Sequence, residues 1–320
     1  MVKRILLIAL IISVSISIIG YIERVWVFRT ATTLFQKMGY HPFRVHTTDI
    51  EFLSGNLRLR GSLYPPGAFI RKFPTIVICH GGTKLGRRLA MYVVLAQELA
   101  KRGYVVLTFD FRGFGDSEDP RRFETFADLD FVQDVSSALT YLSGLKQVDP
   151  AKFYVIGHSF GAGVAVSTSI RDFRVKKVVS ISPGRNTAKR FFGKDAPEPD
   201  YPIKRMSEDM NIHPPIPQII FDPHLKDYVA EAILDYPAHP PVLLVDGAEE
   251  HDEDLIFLKD VYEKMTEPKG YITIQAADLY FGTKINQDGS SGNIRYNAII
   301  MNELVEAIDA WFRDLQKPSR

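Results

Sequence analysis

The sequence predicts an α/β fold: a mainly parallel, twisted sheet flanked by helices. Three observations carry that reading. Short apolar runs recur at Thr75–Cys79, Val105–Phe109, Phe153–Ile156, Lys177–Ser182, Val242–Val245 and Tyr271–Gln275. Segments of helical periodicity separate many of them, the pattern of strands joined by crossover helices. Several runs end in glycine-rich turns, and in such a sheet ligands bind at the carboxyl edge where those turns lie.

The N-terminus is a separate unit. Lys3 and Arg4 precede Ile5–Ile22, a stretch without charge that is long enough to span a bilayer. Tyr21, Trp26 and Phe28 fall where an interfacial aromatic belt would lie. Two readings stay open: an uncleaved anchor over residues 1–22, or a signal peptide cleaved near the small residues Ser15 and Ser17. The apolar run continues past those serines to Ile22, which favours the anchor. A short N-terminus ahead of an anchor stays inside, so the expectation is a single-pass membrane protein with its folded domain outside the cytoplasm. Over residues 23–45, Val25, Phe28, Ala31, Phe35 and Met38 recur at helical spacing between Arg24, Arg29 and Lys37, which reads as an amphipathic stalk ended by His41-Pro42.

The folded domain spans residues 46–317. Ile50–Phe52 and Leu57–Leu63, split by Ser54-Gly55-Asn56, predict an opening hairpin. Helices are expected over Leu89–Arg102, Ala127–Leu145 and Ile294–Leu315, with a further one around Leu255–Met265. Residues 184–240 interrupt the alternation. They hold Pro197, Pro199, Pro202, Pro214, Pro215, Pro217, Pro223, Pro237 and Pro240 together with aromatics such as Phe191, Phe192 and Tyr201. This stretch reads as a cap that closes an apolar acyl pocket.

The chemistry centres on Gly157-His158-Ser159-Phe160-Gly161. A bare G-x-S-x-G is a weak signal. Here it follows the apolar run Phe153–Ile156 and precedes the small residues Ala162-Gly163-Val164-Ala165, so strand, sharp turn and helix supply the context of a nucleophile elbow. A side chain at Gly157 or Gly161 would collide with neighbouring backbone. The helix start aims N–H groups at a developing oxyanion. Thr75–Cys79 ends in His80-Gly81-Gly82, where glycines let backbone N–H groups face a ligand. Val105–Asp110 runs into Phe111-Arg112-Gly113-Phe114-Gly115-Asp116-Ser117, and Val148-Asp149-Pro150 leads into the elbow strand.

These pieces, in this order, resemble the α/β-hydrolase superfamily over roughly residues 46 to 316. The nearest groups are its serine-aminopeptidase-like, acyl-peptide-hydrolase-like and dienelactone-hydrolase-like branches. The resemblance implies Ser159 as nucleophile and the backbone N–H groups of Gly82 and Phe160 as oxyanion donors. It also implies an acid after the next-to-last strand and a histidine after the last. Pro241–Gly247 is the next-to-last strand. Counting three past Gly247 gives Glu250; reading back from Leu255 gives Asp252. Both are carboxylates, and both stay open, as does a plain solvated acidic loop.

The histidine is missing. The last strand leads into Ala276-Ala277-Asp278-Leu279-Tyr280-Phe281-Gly282, and Leu279 stands where relatives carry the imidazole; no histidine follows His251. Leu279 is expected to form an apolar wall in the site. A serine hydroxyl is a poor nucleophile without a positioned base. His251 beside the acid, and His213 and His224 in the cap, are the substitutes the sequence offers. His158 occupies the variable elbow position and His80 the oxyanion turn, where a structural role is expected.

Composition limits the alternatives. The chain has 320 residues, 46% of them hydrophobic, enough for one α/β core, and a net charge of +1 gives no electrostatic case for nucleic acid. The single cysteine, Cys79, precludes an intramolecular disulfide and sits on an apolar strand, so it reads as core. No Cys/His spacing suits zinc and no P-loop is present, so neither metal nor cofactor is expected. The reading is a membrane-anchored serine hydrolase acting on a small acyl or ester substrate with impaired base catalysis. The rival is a pseudohydrolase that binds an acyl or lipid ligand or a protein partner.

Overall fold

A computed structural model describes residues 45–66, 72–83, 85–120, 129–183, 230–250, 252–284 and 294–314. Eight strands lie in these residues: β1 (Thr48–Ser54), β2 (Leu57–Tyr64), β3 (Phe73–Cys79), β4 (Val105–Phe109), β5 (Val148–His158), β6 (Val175–Ile181), β7 (Val242–Gly247) and β8 (Lys269–Ile274). They form one sheet in the order β1-β2-β4-β3-β5-β6-β7-β8. The β1–β2 and β2–β4 pairs are antiparallel and the remaining pairs are parallel. The hairpin expected at the start is present, with Gly55 at φ +60° in its turn.

Among the described residues five α-helices accompany the strands: α1 (Ala90–Lys101), α2 (Phe131–Ser143), α3 (Phe160–Arg171), α4 (Asp252–Lys264) and α5 (Ala298–Phe312). Successive strand residues face opposite sides of the sheet, and both sides are covered. Val77, Leu107, Val155, Val178 and Leu244 pack with α2, α3 and α4 through Val135, Leu139, Val164, Leu258 and Val261. Ile76, Val106, Ile156, Val179 and Val245 pack with α1 and α5 through Leu95, Leu99, Leu304 and Ile308. Burial on both faces explains why the central strands read as continuous apolar runs rather than alternating ones.

Two helices begin later than the periodicity predicts. The start of α2 is set by Asp130, whose side chain accepts from Gln133 N at 2.9 Å. The start of α5 is set by Asn297, whose side chain accepts from Ile299 N at 3.0 Å. Each cap satisfies helical N–H groups and places the helix boundary at itself. Tyr296, expected inside the last helix, instead bridges to Thr283.

The glycine-rich loop after β4 is held by buried ions. Arg112 meets Asp134 at 2.7 Å, and Ser54 Oγ donates to the same carboxylate at 2.7 Å. Asp110 accepts from Arg87 N at 2.7 Å and from Asp116 N at 3.1 Å, and it pairs with the Arg87 guanidinium. Gly115 sits at φ +53°, and a Cβ there would lie 2.4 Å from Asp110 Oδ2. This loop is therefore built around a carboxylate.

The expected membrane segment, most of the stalk and the cap up to residue 229 lie outside the described residues, as do His213, His224 and His251. Among the described residues no helix is long and apolar enough to cross a membrane.

Candidate active site

Strand β5 ends at His158, and Ser159 turns the chain into α3 with φ 53° and ψ −120°. A non-glycine residue in that region stores roughly 1–3 kcal/mol of strain, which the surroundings must hold in place. The two elbow glycines show how. A Cβ on Gly157 would lie 2.1 Å from Gly161 O, and one on Gly161 would lie 2.3 Å from Cys79 O. The first turn of α3 thus rides directly on the ends of β3 and β5, as the collision argument from sequence requires. Ser159 stands at the carboxyl edge of the sheet and is half-buried.

The His80–Gly82 turn reaches the elbow. A Cβ built on Gly81 would meet Ser159 Cβ at 3.1 Å. Gly81 N–H donates to the Tyr92 hydroxyl at 2.7 Å, so it is already committed, and Gly82 is the residue of this turn expected to face an oxyanion. The other expected donor, Phe160, is the first residue of α3, at the positive end of that helix. His80 is buried and structural: its Nδ1–H donates to Gly81 O at 2.7 Å, and its Nε2 accepts from Phe111 N at 3.1 Å. Burial lowers its pKa and keeps it neutral. Cys79 is fully buried in β3, and burial pushes its thiol up, in keeping with a core role.

His158 is also buried, and both of its ring nitrogens are engaged. Tyr92 OH lies 2.8 Å from Nδ1, and Leu279 O lies 2.9 Å from Nε2. With Tyr92 accepting from Gly81 and donating to Nδ1, the proton sits on Nε2 and is donated to Leu279 O. Burial outweighs that last bond and holds the imidazole down at about 4. A histidine so enclosed is not available as a base.

Glu250, one of the two expected carboxylates, is tied to the ends of β6 and β7. Its Oε1 accepts from Ser182 Oγ at 2.5 Å and from Gly247 N at 2.7 Å. Burial raises its pKa above the ordinary carboxylate range, against the pull of both hydrogen bonds. Asp252 is the first residue of α4, and its side chain lies outside the described set.

Leu279 lies in the turn after β8. Ala276, Phe281 and Gly282 there adopt φ of 52°, 50° and 71°, and Asp278 Oδ1 accepts from Tyr280 N and Gly282 N at 3.1 and 2.9 Å. This turn docks on the acid loop through Ala248 N to Ile274 O and Glu249 N to Ala277 O, each 2.9 Å. A Cβ on Gly247 would lie 2.3 Å from Ala277 O. The turn that would carry the imidazole therefore touches the elbow through His158 and the acid loop through Glu249. The Leu279 side chain is 38% exposed, so it is a solvent-touching rim rather than the closed apolar wall expected.

Sequence reasoning missed Tyr92 and Ser182. Tyr92 lies on α1, 66 residues from its partner His158, and no linear spacing announces such a pair. Ser182 was visible only as the last residue of an expected strand. Among the described residues no group of three or more His, Cys, Asp or Glu side chains is placed to hold a metal ion.

A family model described as alpha/beta hydrolase fold matches residues 74–205. The quorum-quenching protein AidA of Acinetobacter baumannii is 33% identical over 138 residues, 42% of this chain and 43% of that one. The thiohydrolase aneE of Aspergillus aculeatus is 30% identical over 137 residues, 42% of this chain and 41% of its own. The chain thus spans less than half the length of these curated relatives. The Pyrococcus furiosus esterase Pf2001 superposes with a TM-score of 0.59 at 19% identity, over 84% of this chain and 91% of that one, a likeness of fold.

Proposed function

From the premise that the chain belongs to the α/β-hydrolase superfamily, we propose that it is a membrane-anchored serine hydrolase of esters, thioesters or amides. Ser159 is the nucleophile, Gly82 and Phe160 supply the oxyanion N–H groups, and Glu250 is the site carboxylate. Leu279 stands where the base would be. The observation that carries the reading is the strained Ser159 at the carboxyl tip of β5, pressed against Gly81. A serine at positive φ between the end of a strand and the start of a helix, with both flanking glycines packed on backbone, is the geometry of a nucleophile elbow. The thiohydrolase relative adds support for acyl chemistry.

In this reading the chemistry is acyl transfer to Ser159 and then to water. The oxyanion donors stabilise the tetrahedral intermediate, a contribution that persists without a base. Losing the base of a complete triad costs about 10⁶ in turnover in one protease, leaving about 10³–10⁴ over water. Native turnover is therefore slow. The uncharged Ile5–Ile22 run supports an anchor that puts the domain outside the cytoplasm.

One observation favours a second reading. Leu279 deprives the site of its imidazole, as a pseudohydrolase that only binds an acyl ligand would permit. Fluorophosphonate labelling followed by peptide mapping decides between them. Slow labelling at Ser159, absent from Ser159→Ala, is the expected result. Saturable binding of fatty acyl ligands with Ser159 unlabelled would leave the pseudohydrolase.

A further inference from the structure

Ser159 has a second serine beside it. The β5–β6 ladder ends with His158 paired to Ile181, and Ser159 N–H donates to Ile181 O at 2.9 Å, one step further. Ser182 directly follows the end of β6. The two serines therefore stand side by side at the tips of adjacent parallel strands, which run about 4.8 Å apart. Both adopt positive φ, 53° at Ser159 and 44° at Ser182. Ser182 is 4% exposed, its N–H is tied to Val245 O at 2.7 Å, and its hydroxyl donates to Glu250 at 2.5 Å. A bond of that length from hydroxyl to carboxylate is of the strong, charge-assisted kind.

We propose that Ser182 and Glu250 take the proton of Ser159 in place of the missing imidazole, with Ser182 Oγ as relay and the Glu250 carboxylate as acceptor. The proposal rests on the reading of Ser159 as nucleophile. As Ser159 Oγ bonds to the acyl carbon, its proton passes to Ser182 Oγ while the proton of Ser182 passes to Glu250. When the carbon–heteroatom bond to the leaving group breaks, the neutral Glu250 returns a proton by the same route to that group. In the second half, water attacks the acyl-enzyme and loses its proton along this path. Ser159 is then reprotonated as it departs, and the site ends as it began.

The groups around Glu250 suit a carboxylate that accepts protons. Asp246 on β7 and Asp254 on α4 repel its charge. Tyr271 on β8 faces it as well, and burial and the Asp246 carboxylate push that phenol up to about 12, so it is neutral. The carboxyl is therefore a stronger base than a solvated glutamate, in a site where the acid loop and the Leu279 turn are already docked together. Ser182 is catalytic in this scheme because it takes the proton from the reacting hydroxyl, a role its place one strand over from Ser159 allows. Glu250 acts through it.

The test measures the rate of fluorophosphonate labelling at Ser159 from pH 4 to 9 in the full chain and in Ser182→Ala, Ser182→Thr and Glu250→Gln, with thermal unfolding alongside. In the wild type the rate should rise with pH along one limb above the ordinary carboxylate range, with no separate imidazole limb. Ser182→Ala and Glu250→Gln should each slow labelling by about tenfold or more, the lower part of what a positioned base contributes, and Glu250→Gln should erase the limb. Ser182→Thr keeps the hydroxyl and should stay within a few-fold with the limb intact. Should Glu250→Gln fail to fold, the Ala/Thr pair at 182 decides. Wild-type labelling and pH profile in Ser182→Ala would overturn the relay, as would a wild type unlabelled at every pH. Leu279→His separates the two ideas: Ser159-dependent labelling restored there keeps the nucleophile while the relay falls, and its absence removes both.

Discussion

The Nε2 of His158 lies 2.9 Å from the carbonyl oxygen of Leu279. This bond joins the nucleophile elbow to the turn in which an imidazole would stand. It explains how that turn keeps its place with leucine in it: the backbone carbonyl, not the side chain, makes the contact. It also leaves His158 fully engaged, because its other nitrogen faces Tyr92.

The enclosure of His158 makes stability depend on pH. Its imidazole is held at about 4 in the fold, against about 6.5 in an unfolded chain. Between those values the unfolded state binds more protons, so stability rises with pH. The contribution is complete above pH about 6.5 and is lost as pH falls toward 4, amounting to roughly 3 kcal/mol at about 1.4 kcal/mol per unit. Urea unfolding from pH 4 to 7.5 should show this slope reduced in His158→Gln. His80, also held down by burial, keeps part of it. An unchanged slope would assign the titration elsewhere.

Tyr92→Phe should destabilise the protein by about 1–3 kcal/mol, because it leaves Gly81 N–H and His158 Nδ1 without their shared hydroxyl. Denaturant midpoints at constant slope check this. No loss would mean that water replaces the hydroxyl.

Gly161→Ala should cost about 3 kcal/mol or more. Its Cβ would meet Cys79 O and His80 O at 2.3 and 2.5 Å, and backbone carbonyls cannot rotate away. Equilibrium unfolding gives the loss directly. A neutral substitution would show that α3 shifts easily off β3.

Much of the fold was legible because the physics was local. Val105–Phe109 and Val242–Gly247 are buried on both faces, so their apolar runs announced strands. Gly157, Ser159 and Gly161 were readable because a tight elbow leaves no alternative residue at the glycines. Helix starts were misplaced where a cap overrode periodicity, at Asp130 and Asn297. The Tyr92–His158 and Ser182–Glu250 contacts were hidden for another reason: each pairs residues brought together only by the parallel crossovers. Leu279 was legible as a substitution, but its exposure and its backbone bond to His158 depend on the turn geometry.

The uncharged Ile5–Ile22 run predicts that the full chain stays with membranes through high salt and alkaline carbonate washes. A chain beginning at Val45 should be soluble. Recovery of a processed, fully soluble mature chain would identify a cleaved signal peptide instead.

The proposed site holds a nucleophile, an oxyanion turn and a carboxylate around a missing base. Leu279→His tests it most directly, by hydrolysis of a short p-nitrophenyl acyl ester. A gain of about 10²–10⁴ over the slow wild type is expected, the usual contribution of a positioned general base, lost again in the double variant with Ser159→Ala. Rapid wild-type hydrolysis that survives Ser159→Ala, or no gain from a well-folded Leu279→His, would contradict it.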